Sequence, residues 1–234
     1  MSFVHIKAVF QKQIKETLKN KEVLVQFMMF PLLTVIMENL IHIEGMPEHY
    51  FTGLFSSMYV GMAPLVAMVS ILAEEKEKGT LRALLMADVK AAEYLAGVGS
   101  YVWLVCMFGS CLFMVTGEYE GKEALFFLGI MGVGILISLV FGAAIGVSSR
   151  NQMGATAISV PVMLALSFLP MLSAFNETLG KVAKVVYTQQ VSLLVSPASD
   201  HTAGFGNISI ILANVLLVMA LFGYAYKKAA FDEK

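Results

Sequence analysis

Apolar and polar residues alternate along this chain on a long scale. Six mostly apolar stretches, roughly 23–42, 50–73, 97–117, 124–147, 155–175 and 207–226, are each bounded by polar or turn-forming residues. A helix needs about 20 such residues to cross a hydrocarbon core, so the pattern predicts six transmembrane helices in one transmembrane domain covering 1–234. The first stretch is the least clean, because Gln26, Glu38 and Asn39 interrupt "VLVQFMMFPLLTVIMENLI". Glu38 falls near its end, where a carboxylate reaches the headgroups. The expected fold is an all-α integral membrane protein.

Residues 1–21 follow a shorter period. Phe3, Ile6, Phe10, Ile14 and Leu18 recur at helical spacing while Lys12, Lys15 and Lys19 project from another side, which predicts an amphipathic helix lying flat on the membrane surface. No short apolar core followed by a small-residue cleavage site is present, so the start reads as mature protein. Between residues 176 and 206, Leu179, Val182, Val186, Leu193 and Leu194 are mixed with Lys181, Lys184, Gln189 and Gln190. That region reads equally as a plain outer loop or as one or two short helices dipping into the outer leaflet.

Composition agrees with the spans: 58% of residues are hydrophobic and 14% charged, against roughly a quarter charged in soluble proteins. The net charge of -1 excludes a generally basic, nucleic-acid-seeking surface. Placement of the charges is more telling. Of the 16 basic residues, all but Lys122, Lys181 and Lys184 fall in the N-terminal arm, the 74–96 segment, the loop at Arg150 or the tail. The positive-inside rule then puts both termini in the cytoplasm and predicts a multi-pass protein of the plasma (inner) membrane.

The two cysteines, Cys106 and Cys111, share one apolar stretch and read as small buried hydrophobes rather than a metal site. Gly142 and Gly146 form a G-x-x-x-G pair in the fourth span, favouring close packing within the subunit over a contact between copies. Pro31, Pro64, Pro161 and Pro170 are expected to kink their helices and free carbonyls.

The densest charge in mid-chain is "EEKEKGTLRALLMADVKAAEYLAGV", residues 74–98. Gly79 followed by Thr80 reads as one helix stopping and another starting, glycine taking the left-handed turn and threonine capping. Leu81, Leu84 and Leu85 then give a short helix an apolar face. On composition alone these charges simply end a span and stay solvated.

Their order resembles the segment after the second span in type-2 ATP-binding-cassette (ABC) transporter permeases: a glutamate, a basic residue, Gly-Thr-Leu, then a Leu-Leu pair, here Glu77, Lys78, Gly79, Thr80, Leu81, Leu84 and Leu85. "SSRNQMGATAISVP" is similar to that family's fourth loop. "VVYTQQVSLLVSPASD" departs from it, lacking the proline-containing motif many members carry before the sixth span. The resemblance implies that 74–96 is a coupling segment docking on a separate ATPase, with Glu74, Glu75, Glu77, Lys78, Gly79, Thr80, Leu81, Arg82, Leu84 and Leu85 carrying the contact. It also implies two copies of that ATPase, which binds ATP and Mg, and a second permease copy or a paralogue.

A phosphate-cradling loop requires G-x-x-x-x-G-K-[ST]. "TGEYEGKE" and "ETLGKVAK" lack the final hydroxyl residue, so no cofactor and no catalytic residue is expected in the chain itself. No span holds a buried carboxylate relay of the sort ion-coupled transport needs. The 16 methionines make an adaptable apolar interior, and Gln26, Met29, Met58, Met62 and Asn214 are candidates for the path of a hydrophobic or amphipathic cargo, a drug or peptide. Two rivals are a channel or scaffold without ATP drive, and an intramembrane protease. "EEKEK" resembles the Glu-Glu-x-x-x-Arg signature of membrane CAAX-type proteases, but Gly79 stands where arginine would.

Overall fold

The computed structural model describes residues 2–19, 21–41, 45, 47–196 and 204–232. Ten α-helices are present among them: α1 (Phe3–Lys19), α2 (Lys21–Leu40), α3 (Tyr50–Glu77), α4 (Thr80–Met86), α5 (Ala91–Thr116), α6 (Gly121–Ser148), α7 (Gln152–Ser173), α8 (Glu177–Ala183), α9 (Tyr187–Val195) and α10 (Phe205–Asp232).

Five helices, α3, α5, α6, α7 and α10, are long and apolar enough to cross a membrane. The sixth expected span falls on α2, in which Phe27–Leu40 forms a shorter apolar helix among the described residues.

Helix α3 is the hub, packing against α2, α5, α6, α7 and α9. Its contact with α6 is set by glycines: a Cβ on Gly142 would lie 2.5 Å from the Leu65 carbonyl oxygen, and one on Gly146 would lie 2.8 Å from Leu72 Cβ. The G-x-x-x-G pair therefore packs inside the chain, Gly142 against the backbone of α3 and Gly146 against the Leu72 side chain.

Pro64 has no N–H for the Val60 carbonyl, four residues back. Ser138 of α6 donates to that carbonyl at 2.5 Å and lies 2.6 Å from the Tyr187 hydroxyl of α9. A carbonyl freed in an apolar interior is thus taken up by neighbouring helices. The short-helix alternative holds for residues 176–196. Tyr187, Thr188, Gln190, Val191, Leu194 and Val195 bury α9 in the bundle, and residues 197–203 lie outside the described residues.

Helix α1 is amphipathic, but its buried residues are Val9, Gln13 and Thr17, while Phe3 and Ile14 of the apolar stripe are exposed. It lies on α5, where Gly97 leaves room for Val9 and Phe10 meets the Tyr101 ring edge-on. The face is turned because Gln13 and Lys12 are drawn to a buried carboxylate, described next.

Candidate functional site

The charged block lies where α3 ends, together with the C-terminus of α6, the N-termini of α5 and α7, and α1. The helix stops as its residues dictate: Lys78 is the C-cap and Gly79 takes φ +69°, a backbone only glycine adopts freely. Thr80 departs from the expected capping role, since its hydroxyl turns back to the Glu75 carbonyl at 3.1 Å and to the Glu75 carboxylate. The short helix α4 follows, with Leu81 and Leu84 packed against the core, and Asp88 at φ +65° ends the segment.

Four consecutive charged residues have four different surroundings. Glu74 pairs with Lys78 one turn on, and this carboxylate raises the lysine's pKa above its ordinary value. The pair is solvated, and an exposed i,i+4 pair contributes little to stability. Glu75, by contrast, is only 5% exposed. It accepts from Lys12 Nζ, from Gln13 Nε2 at 3.4 Å and from Thr80.

Lys76 donates to the carbonyls of Val147 and Ser149, 2.6 and 2.8 Å away, where α6 ends. Glu77 accepts the backbone N–H of Gln152, the first residue of α7, at 2.8 Å. Both contacts oppose a charge to the helix end of complementary sign.

A second buried carboxylate sits alongside. Glu93, in the first turn of α5, accepts from Ser2 N at 2.5 Å, His5 Nδ1 at 2.8 Å and the Lys90 amide at 3.3 Å. Helix α1 is thus clamped near its start by Glu93 and near its middle by Glu75.

Of Glu74, Glu75 and Glu77, all expected to face a partner, Glu75 departs from that expectation. Glu75 is enclosed within the chain, whereas Glu74 is half-exposed beside Lys78 and Glu77 is exposed while its carboxylate accepts the Gln152 amide. Also outward are Lys78, Gly79, Ala83 and Met86, the last 76% exposed. The side chains of Arg82 and Leu85 lie outside the described residues.

Lys12, Gln13, Lys76, Glu93 and the amide of Gln152 were missed in the sequence. A usable signal existed for Glu75, which stands three residues beyond Leu72 on the stripe of Leu65, Met68 and Leu72, all buried.

The five cargo-path residues do not converge. Met58 is buried in the core, Met62 packs against it, Met29 faces outward on α2, and Asn214 donates to the carbonyls of Val185 and Ile210 at 2.8 Å. The side chain of Gln26 lies outside the described residues. A cavity of about 740 Å³ opens at the opposite end of the bundle, lined in part by Glu38, Tyr50, Phe51, Val115 and Glu118. None of the four described ones lines it.

No protein-family model matches the chain. Among curated proteins it is similar to the probable multidrug ABC transporter permease YbhS of Escherichia coli, in strain K12 and in strain O157:H7 alike. The identity is 29% over 171 residues, covering 64% of this chain and 42% of the relative. The chain thus spans less than half the length of those relatives. The likeness is a distant one, to an ABC permease, in a multi-helix protein with five candidate membrane spans.

Proposed function

We propose that this chain is the membrane-spanning permease subunit of an ABC exporter, driven by two copies of a separate ATPase and paired with a second permease copy or a paralogue. In this reading α2 is the first of six spans. Both termini and α4 are cytoplasmic, and α1 lies at the inner interface with Phe3 and Ile14 toward lipid. Helix α4 is the coupling helix. The cargo is a hydrophobic or amphipathic molecule taken up from the inner leaflet.

The observation that carries the reading is a short helix with Ala83 and Met86 outward, joined to the hub helix by the exposed Lys78–Gly79 turn and braced by the buried Glu75. A docking helix must be rigid if a push on it is to move a span, and the bracing supplies that rigidity. Distant similarity to a probable multidrug ABC permease points the same way.

The test is to purify the tagged chain from its native membrane in mild detergent, identify what accompanies it at equal stoichiometry, and assay ATP hydrolysis. The expected result is an ATPase that is lost on Ala83→Glu or Met86→Glu while the chain keeps its thermal stability. A single ATP-inert species would overturn the reading in favour of a channel or scaffold.

A further inference from the structure

Lys76 and Glu77 are neighbours in the last turn of α3, and their partners flank one three-residue connection. Lys76 holds the carbonyl end of α6 and Glu77 holds the amide end of α7. The connection is fixed at each end as well. Ser149 is buried with its hydroxyl on the Ile145 carbonyl, and the Asn151 side chain accepts from the Gly154 amide at 2.8 Å.

Freedom of movement differs on the two sides. Helices α3 and α6 interlock at Gly142 and Gly146 with no room for even a methyl group, so they move as one body. Helix α7 contains Pro161, which offers no N–H to the Ala157 carbonyl. A proline inside a helix is a preferred site of bending. Residues 152–160 therefore form a lever hinged at Pro161, tied to α3 at its end through Glu77 and along its length by Ala155, which packs with Val69 and Ala73.

We infer that Lys76 and Glu77 are positioning residues that carry a displacement of the α3–α4 turn into the first segment of α7, making the fifth span a driven element alongside the second. The inference rests on the ABC-permease reading, which supplies the displacement. It assigns Glu77 to transmission within the chain and not to docking.

A single backbone atom can test it. Gln152 is the first residue of α7, where proline is well tolerated because that N–H has no partner within the helix. Asn151 before it is already extended, with φ -150° and ψ 172°, as a residue preceding proline must be. Gln152→Pro removes the N–H that Glu77 accepts and leaves the helix start intact, whereas Gln152→Ala keeps that N–H.

Spin labels would be placed at Met153→Cys and, separately, Ala87→Cys, each paired with Tyr224→Cys, in the chain with Cys106→Ala and Cys111→Ala. Distances would be measured in the whole complex without nucleotide and after vanadate trapping with ATP. The expected result is that both distances change in the parent and in Gln152→Ala. In Gln152→Pro and in Glu77→Gln the Met153 change falls several-fold while the Ala87 change persists. If the Met153 change is undiminished in both, the inference is overturned. If the Ala87 distance does not respond to ATP even in the parent, the underlying reading falls and the inference with it.

Discussion

The Glu75 carboxylate and the Lys12 ammonium meet across 63 residues of chain, and the carboxylate is almost wholly enclosed. This pair ties the N-terminal helix to the hub helix at the point where the hub leaves the apolar region. The lysine is about one-third exposed, so water moderates its side of the interaction.

Removing the lysine alone should be more damaging than neutralising both partners. Lys12→Met leaves Glu75 with Gln13 and Thr80 as its remaining donors, and an enclosed carboxylate stripped of its cation costs several kcal/mol when fully buried. Discounted for the partly wetted lysine, about 2 kcal/mol is expected. Lys12→Met with Glu75→Gln should recover most of that loss. Unfolding titrations of the purified chain in mixed micelles would measure it. If Lys12→Met costs no more than the exposed Lys15→Met, the pair does not brace the helix.

Two glycines on α6 should respond oppositely to the same methyl group. At Gly142 an added Cβ meets the Leu65 carbonyl at 2.5 Å, and backbone cannot yield as a flexible side chain would. Gly142→Ala should therefore destabilise by about 1–3 kcal/mol through overpacking. At Gly129 nothing lies within 4 Å, so Gly129→Ala should stabilise by up to about 1 kcal/mol through helix propensity alone. The same titration reads both changes. Equal effects at the two sites would mean that α3 and α6 are not in backbone contact.

The long apolar helices were legible because hydropathy over 20 residues is a property of the string itself. So was the turn at Gly79, where a glycine between a charged run and a leucine-rich run has a local reason to be left-handed. The rotation of α1 was not legible, since Phe3, Ile6, Phe10 and Ile14 define an apolar stripe whichever side the protein takes. What turned the helix is Glu75, more than 60 positions away. The block at 74–78 was read as surface because charges in sequence look alike, whereas Glu74 is solvated and Glu75 is buried on adjacent positions of one helix.

The Lys76 contact at the end of α6 is testable by charge and shape separately. Lys76→Met removes a charge-assisted hydrogen bond to two carbonyls and should cost about 1–3 kcal/mol. Lys76→Arg keeps the charge with a longer, planar head and should cost less. Melting of the detergent-solubilised chain would rank the two. Equal losses would show that the ammonium's geometry matters more than its sign.

Pro64 and Ser138 should be energetically coupled although their side chains need not touch. In the native chain the Val60 carbonyl has lost its helical donor to Pro64, and the Ser138 hydroxyl supplies the replacement at 2.5 Å. Ser138→Ala should cost about 1 kcal/mol, in the range of hydrogen bonds between helices in an apolar medium. Pro64→Ala restores an N–H in register with that carbonyl, so in its background Ser138→Ala should cost markedly less. Tyr187→Phe should follow the same rule more weakly, since the Tyr187 hydroxyl reaches the carbonyl only through Ser138. A double-mutant cycle in mixed micelles isolates the coupling from the separate effects of each change. If Ser138→Ala costs the same with and without Pro64, the serine is held by Tyr187 alone, and the proline's freed carbonyl plays no part in seating α6 and α9 on α3.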